Sequence, residues 1–160
     1  IILYPLTKRF FVAPQFILGI TFGSGSIIAY SLESNIFSIS LAILYSGIIA
    51  WIISFDTYYA LEDKKDDEQI GVNSTAILWG NNSIIYSKML HIFFYICLLA
   101  IGLINSFSYL FYILFFVLIY LFIFQAQIIK EKKYIEAFKI NNWIGIASVI
   151  IFAIEIIYLS

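Results

Sequence analysis

The sequence predicts an all-α protein, a polytopic membrane helical bundle with five transmembrane helices. Three observations carry this. Hydrophobic residues make up 62% of the 160 and charged ones only 12%, against roughly 45–50% and about 25% in a soluble domain. Mean hydropathy is +0.97. Five apolar runs, near residues 12–31, 36–61, 84–104, 108–129 and 142–159, are each close to the roughly 20 residues a helix needs to cross a hydrocarbon core. Residues 1–160 read as a single membrane domain. A net charge of −1 leaves no basic stripe for a nucleic acid. The lone Cys97 excludes a disulfide framework and a thiolate metal site.

Taken in order, Ile1–Pro5 lacks the basic region and cleavage site of a signal peptide. It reads as the tail of an earlier helix, so the chain is expected to be the C-terminal part of something longer. Pro14 falls in the first turn of the first span, where its missing N–H costs little. Gly19 and Gly23, four apart, let a neighbouring helix approach. The second span, about 39 Å long at about 1.5 Å per residue, exceeds the roughly 30 Å core, so its Asp56 end should protrude. Beyond it, Gly71 marks a turn, and Ser74 or Thr75 caps a short interfacial helix that Gly80 stops, with Trp79 at headgroup level. His91 reads as a packed or interhelical hydrogen-bonding group of the third span. Glu155, near the end of the last span, either snorkels or faces the bundle. Asn141 and Asn142 are expected to cap that span. Threading the five spans puts every basic residue, from Lys8 and Arg9 to Lys139, on one side, which the positive-inside bias assigns to the cytoplasm.

The chemistry concentrates in Asp56-Thr-Tyr-Tyr-Ala-Leu-Glu-Asp63-Lys-Lys-Asp-Asp67. Asp63 and Asp67, four apart, share one helical face about a turn from each other. Two carboxylates so held suit Mg²⁺, a hard cation that takes oxygen ligands and often binds through one or two carboxylates plus substrate phosphates. The plain alternative is a solvated acidic loop balanced by Lys64 and Lys65. Tyr4-Pro-Leu-Thr-Lys8-Arg9 supplies positive charge on the same side. It serves either as a membrane anchor or to neutralise phosphate, with Arg9 offering a fork for two oxygens and Lys8 a point charge. Tyr4, four residues before Lys8, would share its helical face.

The frame D-x-x-Y-A-x-x-D-x-x-x-D, filled by Asp56, Tyr59, Ala60, Asp63 and Asp67, resembles the second aspartate-rich motif of the UbiA family of intramembrane prenyltransferases. Tyr4-Pro-Leu-Thr-Lys8 is similar to that family's Y-x-x-x-K loop, and Gly71–Gly80 is most similar to the branch that prenylates 4-hydroxybenzoate. The resemblance spans the whole chain. It implies a bundle of nine helices, of which these five correspond to the last five. It also implies an enzyme that transfers a polyprenyl group from an allylic diphosphate to the ring of a small aromatic acid, 4-hydroxybenzoate, in ubiquinone biosynthesis. Asp63 and Asp67 would then be Mg²⁺ ligands. Lys8, Tyr4 and Arg9 would steady the diphosphate or the ring's carboxylate, Asp56 would orient the site or assist proton loss, and Tyr59 would place the acceptor or stabilise positive charge. Other implied partners are membrane lipid and preceding helices of the same protein, in a bacterial inner membrane or mitochondrial inner membrane, with the acidic loop on the cytoplasmic or matrix side. Nothing matches the family's first motif, N-D-x-x-D-x-x-x-D, so this chain alone is expected not to turn over. A different acceptor (naphthoate, homogentisate or a tetrapyrrole) and a non-catalytic membrane remnant stay open.

Overall fold

A computed structural model describes the backbone of residues 4–33 and 36–159 and the side chains of residues 7–32 and 36–157. Every regular element among them is helical: α1 (Tyr4–Phe10), α2 (Pro14–Glu33), α3 (Ile39–Glu62), α4 (Lys64–Ile70), α5 (Thr75–Leu78), α6 (Ser83–Ile104), α7 (Tyr109–Lys130) and α8 (Tyr134–Leu159), with a 3₁₀ turn over Gly80–Asn82. Five of these, α2, α3, α6, α7 and α8, are long and apolar enough to cross a membrane. The chain divides into two compact units, Ile1–Ile101 and Gly102–Ser160.

In the first unit α2 lies along α3. Pro14 opens α2, and Ser38 opens α3 by accepting the Leu41 N–H at 3.1 Å. Gly19 and Gly23 face α3, where a Cβ would stand 3.1 Å from Ile49 and from Tyr45, respectively. The close approach expected of this pair is therefore real, and the Tyr45 hydroxyl seals it by donating to the Ile20 carbonyl at 3.2 Å. On another face of α3, Gly47 admits Cys97 of α6, and Trp51 stacks on Phe94 with ring centroids 4.9 Å apart.

The second unit is the α7–α8 hairpin. Phe107, Phe111 and Phe152 meet edge to face, a geometry that adds about 0.5–1.5 kcal/mol per pair to the area they bury. Glu155 faces the hairpin: its two oxygens accept the Ser108 N–H at 2.5 Å and the Ser108 hydroxyl at 2.6 Å, placing negative charge at the N-terminus of α7.

The last helix departs from expectation. It begins at Tyr134 rather than 142, and Asn141 and Asn142 are interior rather than capping. Helical bonding already starts with Ala137 N–H to the Lys133 carbonyl at 3.0 Å, after a tight turn in which Lys132 has φ +60°. The Asn141 amide donates back to the Ala137 and Phe138 carbonyls, and Gln125 of α7 donates to the same Ala137 oxygen at 2.8 Å. That interhelical bond holds the polar first turns of α8, which an apolar-run criterion cannot see.

Candidate functional site

The acidic motif starts on the last turns of α3 and continues past a break. Asp63 is at once the last cap of α3 and the first of α4, yet its φ of −80° and ψ of −2° stay near helical values. The Asp67 N–H still bonds the Asp63 carbonyl at 2.9 Å. The motif is thus carried by two helices, and the helical turn that sets Asp63 and Asp67 on one face, as their spacing predicts, is present. Gly71, at φ +70°, then ends α4 in the left-handed conformation that glycine adopts without a Cβ penalty, and the Val72 N–H returns to the Asp67 carbonyl at 3.0 Å.

Asp67 is buried at 6% exposure, while Asp63 and Asp56 are half-buried. Lys8 of α1 reaches Asp67, with Nζ 3.6 Å from Oδ2, just outside hydrogen-bond range. Oδ2 is therefore a buried oxygen with an opposite charge nearby and no hydrogen bond. Burial raises the Asp67 pKa above its ordinary value, Lys8 opposes this, and Asp63 adds to it. The Tyr59 side chain, 41% exposed, lies beside Asp63, and Asp56 and Asp67 are within electrostatic reach of it. Lys8, Asp56, Tyr59, Asp63 and Asp67 thus gather at one end of the first unit. Arg9 is also on α1 but is exposed. Tyr4 opens α1, and its side chain lies outside the described residues.

Among the described residues no three or more His, Cys, Asp or Glu side chains converge as a self-sufficient metal cage. What is present, two carboxylates of which one keeps a buried oxygen without a hydrogen bond, suits a hard cation that takes its other ligands from phosphate and water.

Sequence reasoning missed the residues that hold this end together. Gln15, 1% exposed, accepts the Thr75 N–H at 3.0 Å from 60 positions away. The Thr75 and Thr57 hydroxyls meet at 2.7 Å. The Asn73 N–H donates to the Lys8 carbonyl at 2.8 Å. The one available signal was a glutamine just inside an apolar span, a place where a polar side chain needs a partner. Ser74, expected as a possible cap, does cap α5 by accepting the Ile77 N–H at 3.3 Å.

A profile of the UbiA prenyltransferase family matches residues 1–153. The chain belongs to the UbiA family. Curated relatives include 4-hydroxybenzoate octaprenyltransferase of Francisella tularensis subsp. mediasiatica, 38% identical over 98% of this chain and 56% of its own length. The enzyme of that name from Nitrosospira multiformis is 33% identical over 89% of this chain and 50% of its own. The chain spans about half the length of the curated relatives it matches. Among solved structures, the apo form of a UbiA homolog from Aeropyrum pernix K1 superposes with a TM-score of 0.78 over 96% of this chain and 59% of that one, at 20% identity. The UbiA fold is therefore common to both.

Proposed function

We propose that this chain forms part of an aromatic prenyltransferase that moves a polyprenyl group from an allylic diphosphate onto the ring of 4-hydroxybenzoate, in ubiquinone biosynthesis. The observation that carries the reading is Asp67, a buried carboxylate with one oxygen lacking a hydrogen bond and with Lys8 3.6 Å away, at the last position of the aspartate frame. Relatives named 4-hydroxybenzoate octaprenyltransferase match nearly the whole chain and supply the acceptor.

Asp63 and Asp67 would hold Mg²⁺, which supplies charge neutralisation for a departing diphosphate. Lys8 places its ammonium where diphosphate oxygens would lie and takes up part of their charge, and exposed Arg9 offers a second cation on the same short helix. Tyr59 presents a ring face and a hydroxyl near Asp63, suited to lie beside an allylic cation or a phenolic acceptor. Asp56, one helical turn before Tyr59, can take the ring proton. The aromatic content, 16 Phe and 12 Tyr, favours walls dry enough to keep water from the cation. The membrane is a bacterial inner membrane or the mitochondrial inner membrane, with the acidic end on the cytoplasmic or matrix side, as the distribution of lysines favours.

The test is a chimaera in which these 160 residues replace the matching segment of the Francisella enzyme. With polyprenyl diphosphate, 4-hydroxybenzoate and Mg²⁺, it should form prenylated product. Asp63→Ala and Asp67→Ala should each lower the rate about 100-fold or more, the scale set by removing a group that stabilises developing charge. Transfer that survives both substitutions would sink the proposal, and preference for a naphthoate or homogentisate in the same assay would reassign the acceptor.

A further inference from the structure

The acidic end is assembled from segments far apart in sequence, and one buried side chain links them. Gln15 sits on the first turn of α2, directly after Pro14. Its Oε1 accepts the N–H of Thr75, the first residue of α5. That N–H is one of the donors a helix start leaves without an internal partner. Ser74 satisfies another, at Ile77, so α5 is capped both from within and from 60 residues away. The Thr75 hydroxyl is then held by Thr57, whose own oxygen also contacts the Ile53 carbonyl at 2.6 Å within α3. Two residues earlier, the Asn73 N–H grips the Lys8 carbonyl. The segment from Asn73 to Thr75 is thus pinned to α1, α2 and α3, and only Gly71 and Val72 separate it from α4, which carries Asp67. Gln15, Thr57 and Thr75 are all buried, so water does not compete for these bonds.

We propose that Gln15 is a positioning residue for the Lys8–Asp67 pair: by accepting the Thr75 N–H it locks the segment after α4 against α2, and the Asn73 N–H of that same segment then holds the Lys8 carbonyl of α1, so that where the two charges stand is fixed. The geometry gives it no contact with reacting atoms. It acts through Thr75 and Asn73, and its role in diphosphate binding rests on the reading of Lys8 and Asp67 given above.

The test uses the full chain in lipid nanodiscs and reads the acetylation rate of each lysine with a water-soluble acetylating ester, by mass spectrometry. Gln15→Met keeps size and apolar burial but removes the acceptor. Lys8 acetylation should rise about five-fold, the scale that one net hydrogen bond sets, while Lys88 and Lys139 stay within about two-fold of wild type. Thr57→Val, which removes the hydroxyl partner of Thr75 from a different helix, should raise the Lys8 rate in the same direction and covers the case in which Gln15→Met does not fold. An unchanged Lys8 rate in either folded variant overturns the proposal, and so does an equal rise at all lysines, which would mark general loosening. Methylenediphosphonate with Mg²⁺ should slow Lys8 acetylation in the wild-type chain and do so less in Gln15→Met. Absence of that protection in the wild type refutes the diphosphate reading itself, whatever the substitutions do.

Discussion

Asp67→Asn should abolish transfer and yet make the protein more stable. Asn is nearly isosteric with Asp and stands in for the protonated carboxyl. In the wild type, Oδ2 is buried without a hydrogen bond, and its nearest opposite charge is Lys8 at 3.6 Å. Leaving a buried charged acceptor unsatisfied costs about 2 kcal/mol or more. A lysine whose side chain is 26% exposed returns at most about 1 kcal/mol as an ion pair with water close by. Asp67→Asn is therefore expected to gain about 1 kcal/mol near neutral pH. The pH dependence gives a second check. Because burial holds the folded pKa above the ordinary 3.8, the folded chain binds this proton more tightly than the unfolded one. The stabilisation linked to that proton is complete below 3.8 and is lost as pH rises through the folded value. The advantage of Asp67→Asn should thus be full above that window and vanish below it. Unfolding of the purified chain by SDS in mixed micelles, followed at a series of pH values, measures both quantities. A loss of stability near neutral pH, or a gain that does not change with pH, would refute the account of Asp67 as a charge held at a cost for function.

Four further outcomes follow from packing and hydrogen bonding. Glu155→Ala leaves the Ser108 N–H and hydroxyl without their acceptors at the start of α7 and should cost about 3–4 kcal/mol in the same unfolding assay. Glu155→Gln, which can still accept the N–H and donate to the hydroxyl, should cost about 1 kcal/mol. Gly47→Ala would place a Cβ 2.8 Å from the Cys97 Cβ, an atom fixed to the α6 backbone, so it should destabilise by about 1–3 kcal/mol through overpacking; Gly25→Ala, whose Cβ would meet nothing within 4 Å, should not, and near-equal effects of the two would contradict the close α3–α6 approach.

Much of this fold is written in local rules. Length of apolar run is enough for the five spans, because a hydrocarbon core demands about 20 helical residues wherever it is crossed. Gly19 and Gly23 announced close packing, Gly71 a turn and Ser74 a cap, each for a reason confined to a few neighbouring residues. What stayed hidden depends on partners distant in sequence. The polar first turns of α8 are helical although Glu136 and Lys139 interrupt the apolar run, and the bond from Gln125 of α7 that holds them cannot be read from α8 itself. The same is true of Gln15, whose partner lies 60 residues on. At the site, the residue types of the aspartate frame were legible, whereas the break at Asp63, the burial of Asp67 and its pairing with Lys8 are products of how α1, α4 and α5 meet.

The aspartate frame also has a logic that its acids alone do not explain. Between Asp56 and Ala60, Asp56 and Tyr59 stand on the accessible side of α3, while Thr57 and Ala60 are buried. Thr57 and Ala60 are three apart, so they share a face, and Thr57 on that face bonds Thr75 of α5. The alanine of the frame is then read as a packing requirement: at 2% exposure it is buried on the same side of α3 as Thr57. A larger side chain at 60 would have to be fitted into this closed face beside Thr57, whose bond to Thr75 holds the segment that leads back to Asp67. One turn of helix therefore does two jobs, offering Asp56 and Tyr59 to the site with one face and holding the carrier of Asp67 in place with the other.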